Sequence, residues 1–427
     1  MLPRWKVRRV SASDFPAFNR DFSLYLGSMS ATGLALQMSQ VAIGWQVFHI
    51  HHRPLDLGLV GLAEFVPLPL LALPAGHVAD RIPRRTTFAV SVGLDAAVAA
   101  GLLALTVSGP TAVWPFFVLA FATGIASAIG APASRALTPS LVPPEILTRA
   151  LAVRSVAFEI SAIGGPALGG VLFYLRPELV YEVSTALSVA SLLCVVAIRA
   201  GREPATGEAP TLDSIFDGVR LIRRTPVMLG AISLDLFAVL FGGAVALLPV
   251  FASDVLHVGK IGLGLLRSAP AVGALVAAVL LTRRPIGRFA GRKLLAVVTA
   301  FGVSMVVFGL SHSMWLSLLA LAVSGGVDLV SVVLRATILP LVTPDEFRGR
   351  VNAVEMVFIS ASNELGAFES GVAAALVGAV PAVVAGGIAT IVVAAVWSRL
   401  FPPLAEVDRL EELRPAYASP GLTSPDS

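Results

Sequence analysis

Long apolar runs alternate with short polar segments along the whole chain. Twelve of them have the length that a bilayer-crossing helix needs, roughly 20 residues. Their cores lie near 22–47, 55–79, 86–107, 113–135, 150–174, 180–198, 227–251, 262–282, 293–310, 314–338, 350–378 and 381–400. The second run is broken by Pro67, Pro69 and Pro74 and is the least regular. The longest polar interval falls at the midpoint, with six runs on either side. It opens as the Gly/Pro/Glu-rich "GREPATGEAP" and continues as "TLDSIFDGVRLIRR". There Thr211 or Asp213 is placed to cap a short amphipathic helix on the membrane surface. The pattern therefore predicts an N-terminal six-helix half (1–198), a linker (199–226), a C-terminal six-helix half (227–401) and a tail (402–427) expected to be disordered at its end.

Composition agrees with this reading. The 427 residues are 56% hydrophobic and 14% charged, with a mean hydropathy of +0.84. A soluble domain carries about a quarter charged residues, so this chain belongs in a membrane. The net charge of +4 is modest, and placement matters more than number. Of 31 basic residues, 26 fall at the termini or in alternate polar segments; the other segments hold only Arg53, Arg176 and Lys260, and Arg154 and Arg267 lie within apolar runs. In this count Arg135, Arg149 and Arg335 fall on the cytoplasmic side, at or beside the ends of apolar runs. Basic residues resist translocation, so the alternation predicts twelve transmembrane helices with both termini cytoplasmic, in a bacterial-type inner membrane. The one cysteine, Cys194, excludes an internal disulfide or a cysteine metal cluster. The first run is too long for a signal-peptide core and is expected to be retained.

The halves are related. "SRALTPSLVPPEILTRALAV" answers "LRATILPLVTPDEFRGRVNAV": Arg135 matches Arg335, Arg149 matches Arg350 and Gly165 matches Gly366, a spacing of about half the chain. Two repeats in one orientation are the architecture of transporters whose halves rock about a central site.

Between the second and third runs, Gly76 to Arg85 reads "GHVADRIPRR", or G-x-x-x-D-R-x-x-R-R, and the fifth run contains "GPALGG", Gly165 to Gly170. The first resembles the signature loop of the major facilitator superfamily, with Pro83 where a glycine is usual. The second resembles the G-P-x-x-G-G element of that superfamily's exporters. Over the whole chain the resemblance is closest to the branch of the enterobactin exporter and macrolide efflux proteins. It implies an all-α fold of two pseudo-symmetric six-helix halves. It also implies a cytoplasmic gate in which Gly76, Asp80, Arg81, Arg84 and Arg85 take part, Asp80 meeting the start of helix 11. In the second half Arg288 aligns with Asp80, so that contact is not repeated. In the fifth run Gly165, Gly169 and Gly170 permit close helix approach and Pro166 removes a backbone hydrogen bond; ordinary helix packing explains them as well as an exporter-specific role does.

Charge inside a membrane is costly and marks functional sites by default. Glu64, Asp95, Glu159, Asp235, Asp328, Glu355, Glu364 and Glu369 lie in apolar runs, with Arg154 and Arg267 as counter-ions. Depth puts Asp328 and Glu364 near mid-helix, Asp235 about a third of the way in and Glu355 near the cytoplasmic end; Asp235, Asp328, Glu369 and Glu364 are the candidates for coupling or substrate binding, ahead of Glu64 and Glu159. Helical phase sets Glu364 opposite Glu355, whereas Glu355, Ser362, Gly366 and Glu369 share a face. The alternative for each acid is a buried polar contact that holds helices together. "HIHH", His49 to His52, reads as a solvated turn, and no metal site is expected.

Together these features predict a secondary transporter: a proton-coupled exporter of a bulky amphipathic compound, a drug or siderophore. An importer or facilitator of the same fold is the alternative, and a membrane-embedded sensor or enzyme is a different class. No nucleotide loop or zinc motif argues for an enzyme. The expected partners are the lipid bilayer and a small-molecule substrate, without nucleic acid, in a monomer. No cofactor is expected; the proton gradient supplies the energy.

Overall fold

The structure, a computed structural model, describes residues 19–71, 82–199, 212–283, 288–408 and 413, and it is almost wholly helical. The N-terminal half comprises α1 (Arg20–His51), α2 (Pro54–Leu71), α3 (Arg84–Val107), α4 (Trp114–Leu141), α5 (Pro144–Leu175) and α6 (Pro177–Ala197). A linker helix, Leu212–Arg224, leads to α7 (Pro226–Val255), α8 (Gly259–Arg283), α9 (Ala290–Leu310), α10 (Met314–Val342), α11 (Arg348–Val377) and α12 (Ala379–Leu400). Ten of these segments are long and apolar enough to cross a membrane among the described residues. The other two, α1 with 32 residues and α11 with 30, have the length but are more polar.

Local chemistry sets the helix ends. Asn19 caps α1, its side chain accepting from the Phe22 amide at 2.8 Å while donating to the Leu141 carbonyl at 2.6 Å. Proline opens α2, α5, α6 and α7, where its missing N–H costs nothing. Several helices run past the apolar cores, because a helix continues where the hydrocarbon ends. Thus α4 extends through Pro132, Arg135 and Pro139, and α10 through Arg335 and Pro340. Arg135 and Arg335 therefore lie on helices, toward the arginine-rich end of each. Helix α7 is irregular: Gly242 and Gly243 end its first part, a 3-10 turn covers Ala244–Leu247, and a π turn covers Phe251–Val255 after Pro249.

The apolar core shows how the halves meet. At the arginine-poor end one cluster spans both halves and includes Met38, Phe48, Phe116, Phe251 and Phe308. Toward the arginine-rich end each half keeps its own cluster, around Tyr25, Phe88 and Leu137 in one and Met228, Leu294 and Leu334 in the other. The linker helix buries Leu221 and Ile222 in the second of these, so this part of its apolar face is covered by protein rather than lying on the membrane surface. The tail expected to end in disorder lies, from residue 414 onward, outside the described residues.

Candidate functional site

A cavity of about 740 Å³ lies between the halves. Glu64 of α2 and Asp95 of α3 enter it from one half, and Asp328 of α10 and Glu364 of α11 from the other. Arg267 of α8 supplies its single arginine, and Gln37, Gln40, Phe158 and Phe301 add polar and aromatic surface. The Arg267 guanidinium donates to the Gln40 side chain of the opposite half. It acts electrostatically on Glu64 and Glu364 without contacting either within 4 Å. Among the described residues none of the four carboxylates has a hydrogen bond or an ion pair, and Asp95 is only 8% exposed. The Glu364 carboxylate reaches α2, where a Cβ added at Gly61 would lie 3.5 Å from its Oε2.

The other acids have different surroundings. Asp235 of α7 accepts from Arg335 of α10 at 2.8 Å, and Glu355 of α11 lies 3.8 Å from the same guanidinium. Arg335 and Asp235 are both nearly inaccessible, and Arg335 Nε has no partner. Asp235 thus has the polar contact that the bland alternative required. Glu369 does not line the cavity. Its neighbour is Ser370, at 3.5 Å, and on the same face Gly366 packs against Leu240 of α7. Glu364 faces the cavity from another side of α11.

Arg135, the repeat mate of Arg335, is exposed and points its guanidinium at the Met356 sulfur across the halves, 2.6 Å away. Arg154 lies near enough to act on it electrostatically. Arg84 donates to the Ala136 carbonyl at 3.2 Å, and Arg85 to those of Val195 and Val196 at 3.2 and 2.6 Å. Both tie α3 to helices of its own half. Gly76, Asp80 and Arg81 lie outside the described residues. Arg288, aligned with Asp80, pairs with Asp408 of the tail at 3.2 Å.

The GPALGG motif serves two contacts. Gly165 and Gly169 admit α1, where an added Cβ would lie 2.5 Å from Gln37 Cβ and 2.9 Å from Met38 Cα. Gly170 admits α8 of the other half, and the helix continues through Pro166. In the histidine run, His51 lies 3.1 Å from Asp56, and His49 stacks on Trp45 with ring centroids 4.2 Å apart. No group of three metal-type ligands occurs among the described residues.

Sequence reasoning ranked Glu64 low and left Asp95 unranked, yet both face the cavity. Each is a single acid in an apolar run, and only the packing of α2 and α3 against the opposite half distinguishes them from other such acids.

Comparisons with known proteins agree with this architecture. The transmembrane secretion effector family matches residues 19–422. Enterobactin exporters EntS of Citrobacter koseri and Shigella dysenteriae are each 26% identical over 357 residues, 82% of this chain and 83% of theirs. A bacterial homologue of the lysosomal transporter Spinster, inward-facing and unoccupied, superposes with a TM-score of 0.71 at 13% identity, covering 91% of this chain and 99% of that one. A bacterial homologue of the iron transporter ferroportin, also inward-facing, gives 0.67 at 17% identity, covering 92% and 100%. The chain belongs to the transmembrane secretion effector family, within the major facilitator superfamily of multi-pass membrane transporters.

Proposed function

We propose that this transporter is a proton-driven exporter of a bulky amphipathic compound, of the siderophore or drug type, working by alternating access in a bacterial inner membrane as a monomer with both termini cytoplasmic. The observation that carries the reading is the cavity between the halves, lined by four carboxylates that have no hydrogen bond or ion pair among the described residues. A carboxylate that alternates between two access states takes a proton on one side and releases it on the other, and desolvation is what makes such a group titrate usefully. Sequence likeness to enterobactin exporters supports the outward direction. The apolar cluster shared only at the arginine-poor end supports an inward-facing state, with the cavity reached from the arginine-rich side. Gate roles for the loop from Gly76 to Arg85 rest on its resemblance to the superfamily's signature.

The test is uptake into everted membrane vesicles of a panel of siderophores and lipophilic drugs, with the proton gradient intact or collapsed by an ionophore. Gradient-dependent uptake of at least one compound, absent from vesicles without the protein, is expected. Uptake that ignores the gradient would make the protein a facilitator.

A further inference from the structure

Five of the chain's six histidines, His49, His51, His52, His257 and His312, lie at the arginine-poor end, whose other basic residues are Arg53, Arg176 and Lys260. The charge of that end is therefore set largely by groups that titrate between about pH 5 and 8. Three of these histidines converge where the halves close. His52 ends α1 and His257 follows α7, the matching helix of the second repeat, each with a left-handed backbone, at φ 54° and 51°. The His49 ring stacks on Trp45, and its Nδ1 donates to the Trp45 carbonyl at 2.9 Å. A carbonyl only accepts, so the neutral ring carries its proton on Nδ1 and turns a bare Nε2 toward the other half. That Nε2 lies 3.5 Å from the Ser253 hydroxyl, on the π turn of α7. His257 donates from Nδ1 to the carbonyl of the same serine at 2.7 Å. Ser253 is thus bracketed by a histidine from each half.

The charged groups that act on the His49 ring are His52 of its own half and Asp254 and Lys260 of the other. His51 is engaged with Asp56 and Arg176 with Glu182, each at 3.1 Å. Asp254 and Lys260 act with opposite signs, so their effects largely offset as the halves part. Two effects do not cancel. The half-buried His49 ring has lost part of its water under α7, and a charged His49 would crowd a charged His52, whose ring centroid is 5.4 Å away. Both effects make an imidazolium costlier in the closed state, and both are relieved when α7 withdraws and water enters. A proton that binds the open form better shifts the population toward it.

We propose that His49, with His52 beside it, is a proton-binding site on the outer gate. Neutral, it lets the halves close at the arginine-poor end; charged by external acid, it favours their separation. The site lies apart from the cavity carboxylates and needs only alternating access, whatever the substrate.

The experiment uses the full chain in lipid nanodiscs in a Cys194→Ser background. Spin labels are placed on Ser108→Cys and Ser313→Cys, at exposed outer turns of the two halves. Pulsed electron resonance reads the distance between them, and with it the ratio of open to closed outer ends. From pH 8 to pH 5.5 this ratio is expected to rise at least fivefold. His49→Gln keeps a polar group for Ser253 but takes no charge. Its ratio should rise less than twofold, with the distance at pH 8 unchanged. Asp254→Asn alters an exposed side chain and removes the one acid that favours a charged His49 in the closed state; it should enlarge the acid response. His312→Gln, whose ring rests on the Leu310 carbonyl at 3.1 Å, should leave the response as it was. A wild-type ratio that ignores pH, a full response in His49→Gln, a smaller one in Asp254→Asn, or an equal loss in His312→Gln would each overturn the proposal. A response kept in His49→Gln and lost in Glu364→Gln would overturn it in favour of the cavity. Gradient-driven uptake in everted vesicles is read separately and tests the exporter reading alone.

Discussion

Gly170 of α5 lies directly against Gly264 of α8 across the boundary between the halves: a Cβ added at Gly170 would be 3.1 Å from the Gly264 Cα and 2.7 Å from the Lys260 carbonyl oxygen. The same contact recurs in the other repeat. A Cβ at Gly371 of α11 would be 2.8 Å from the Gly58 Cα and 3.2 Å from the Pro54 carbonyl oxygen of α2. Only glycine lets two backbones come this close. The exporter-like motif therefore supplies one of two equivalent crossings that join the halves at the arginine-poor end.

A side chain at Gly170 should hold that end open. Gly170→Leu is expected to lower transport more than tenfold at normal expression and to make arginine-poor cavity positions more reactive to external thiol reagents. Gly164→Ala is the control, since its added methyl meets only Leu34 Cδ2, at 3.8 Å. Equal effects of the two substitutions would show that the crossing is not needed.

Asp235 should act first on stability. Removing one partner of a buried ion pair costs about 3–5 kcal/mol, and Glu355, 3.8 Å from Arg335, offsets part of that loss. Asp235→Asn is thus expected to lower the thermal midpoint in detergent clearly more than Glu355→Gln does. An unchanged midpoint with lost proton coupling would return Asp235 to the coupling site.

Arg85 caps the carbonyl end of α6. Its replacement by alanine should cost about 1 kcal/mol of stability, because hydrogen bonds from a charged group are worth about 1.5–3 kcal/mol when shielded and less where the group is exposed to solvent. Transport per folded molecule should stay near wild type. A transport defect at full stability would instead assign Arg85 to the gate.

Membrane orientation is tested by single cysteines in a Cys194→Ser background. Ser108→Cys and Ser313→Cys, both at exposed turns, should react with an impermeant reagent in intact cells, and Arg84→Cys should not. Labelling at Arg84→Cys alone would invert the topology.

Much of this was legible because membrane insertion writes itself along the chain. Apolar length and arginine alternation marked out the helices, and the GPALGG glycines announced close packing before any partner was known. The partners were not legible. Gly264 and Gly58 carry no motif, and nothing local separates Glu64 and Asp95 from Glu369, although two face the cavity and the third does not. Arg335 fell near the end of an apolar run, and hydropathy alone named no partner for it. A helix does not stop there when Asp235, a hundred residues away, neutralises that charge.

The central claim is that cavity carboxylates couple proton entry to export. Its most direct test is transport by the reconstituted protein under an imposed pH gradient, comparing wild type with Glu364→Gln, Asp328→Asn and Glu369→Gln. Wild type and Glu369→Gln should accumulate substrate against its gradient. At least one of the two cavity variants should lose accumulation yet still exchange substrate across the membrane. Accumulation by all four proteins, or by none of them, would contradict the account.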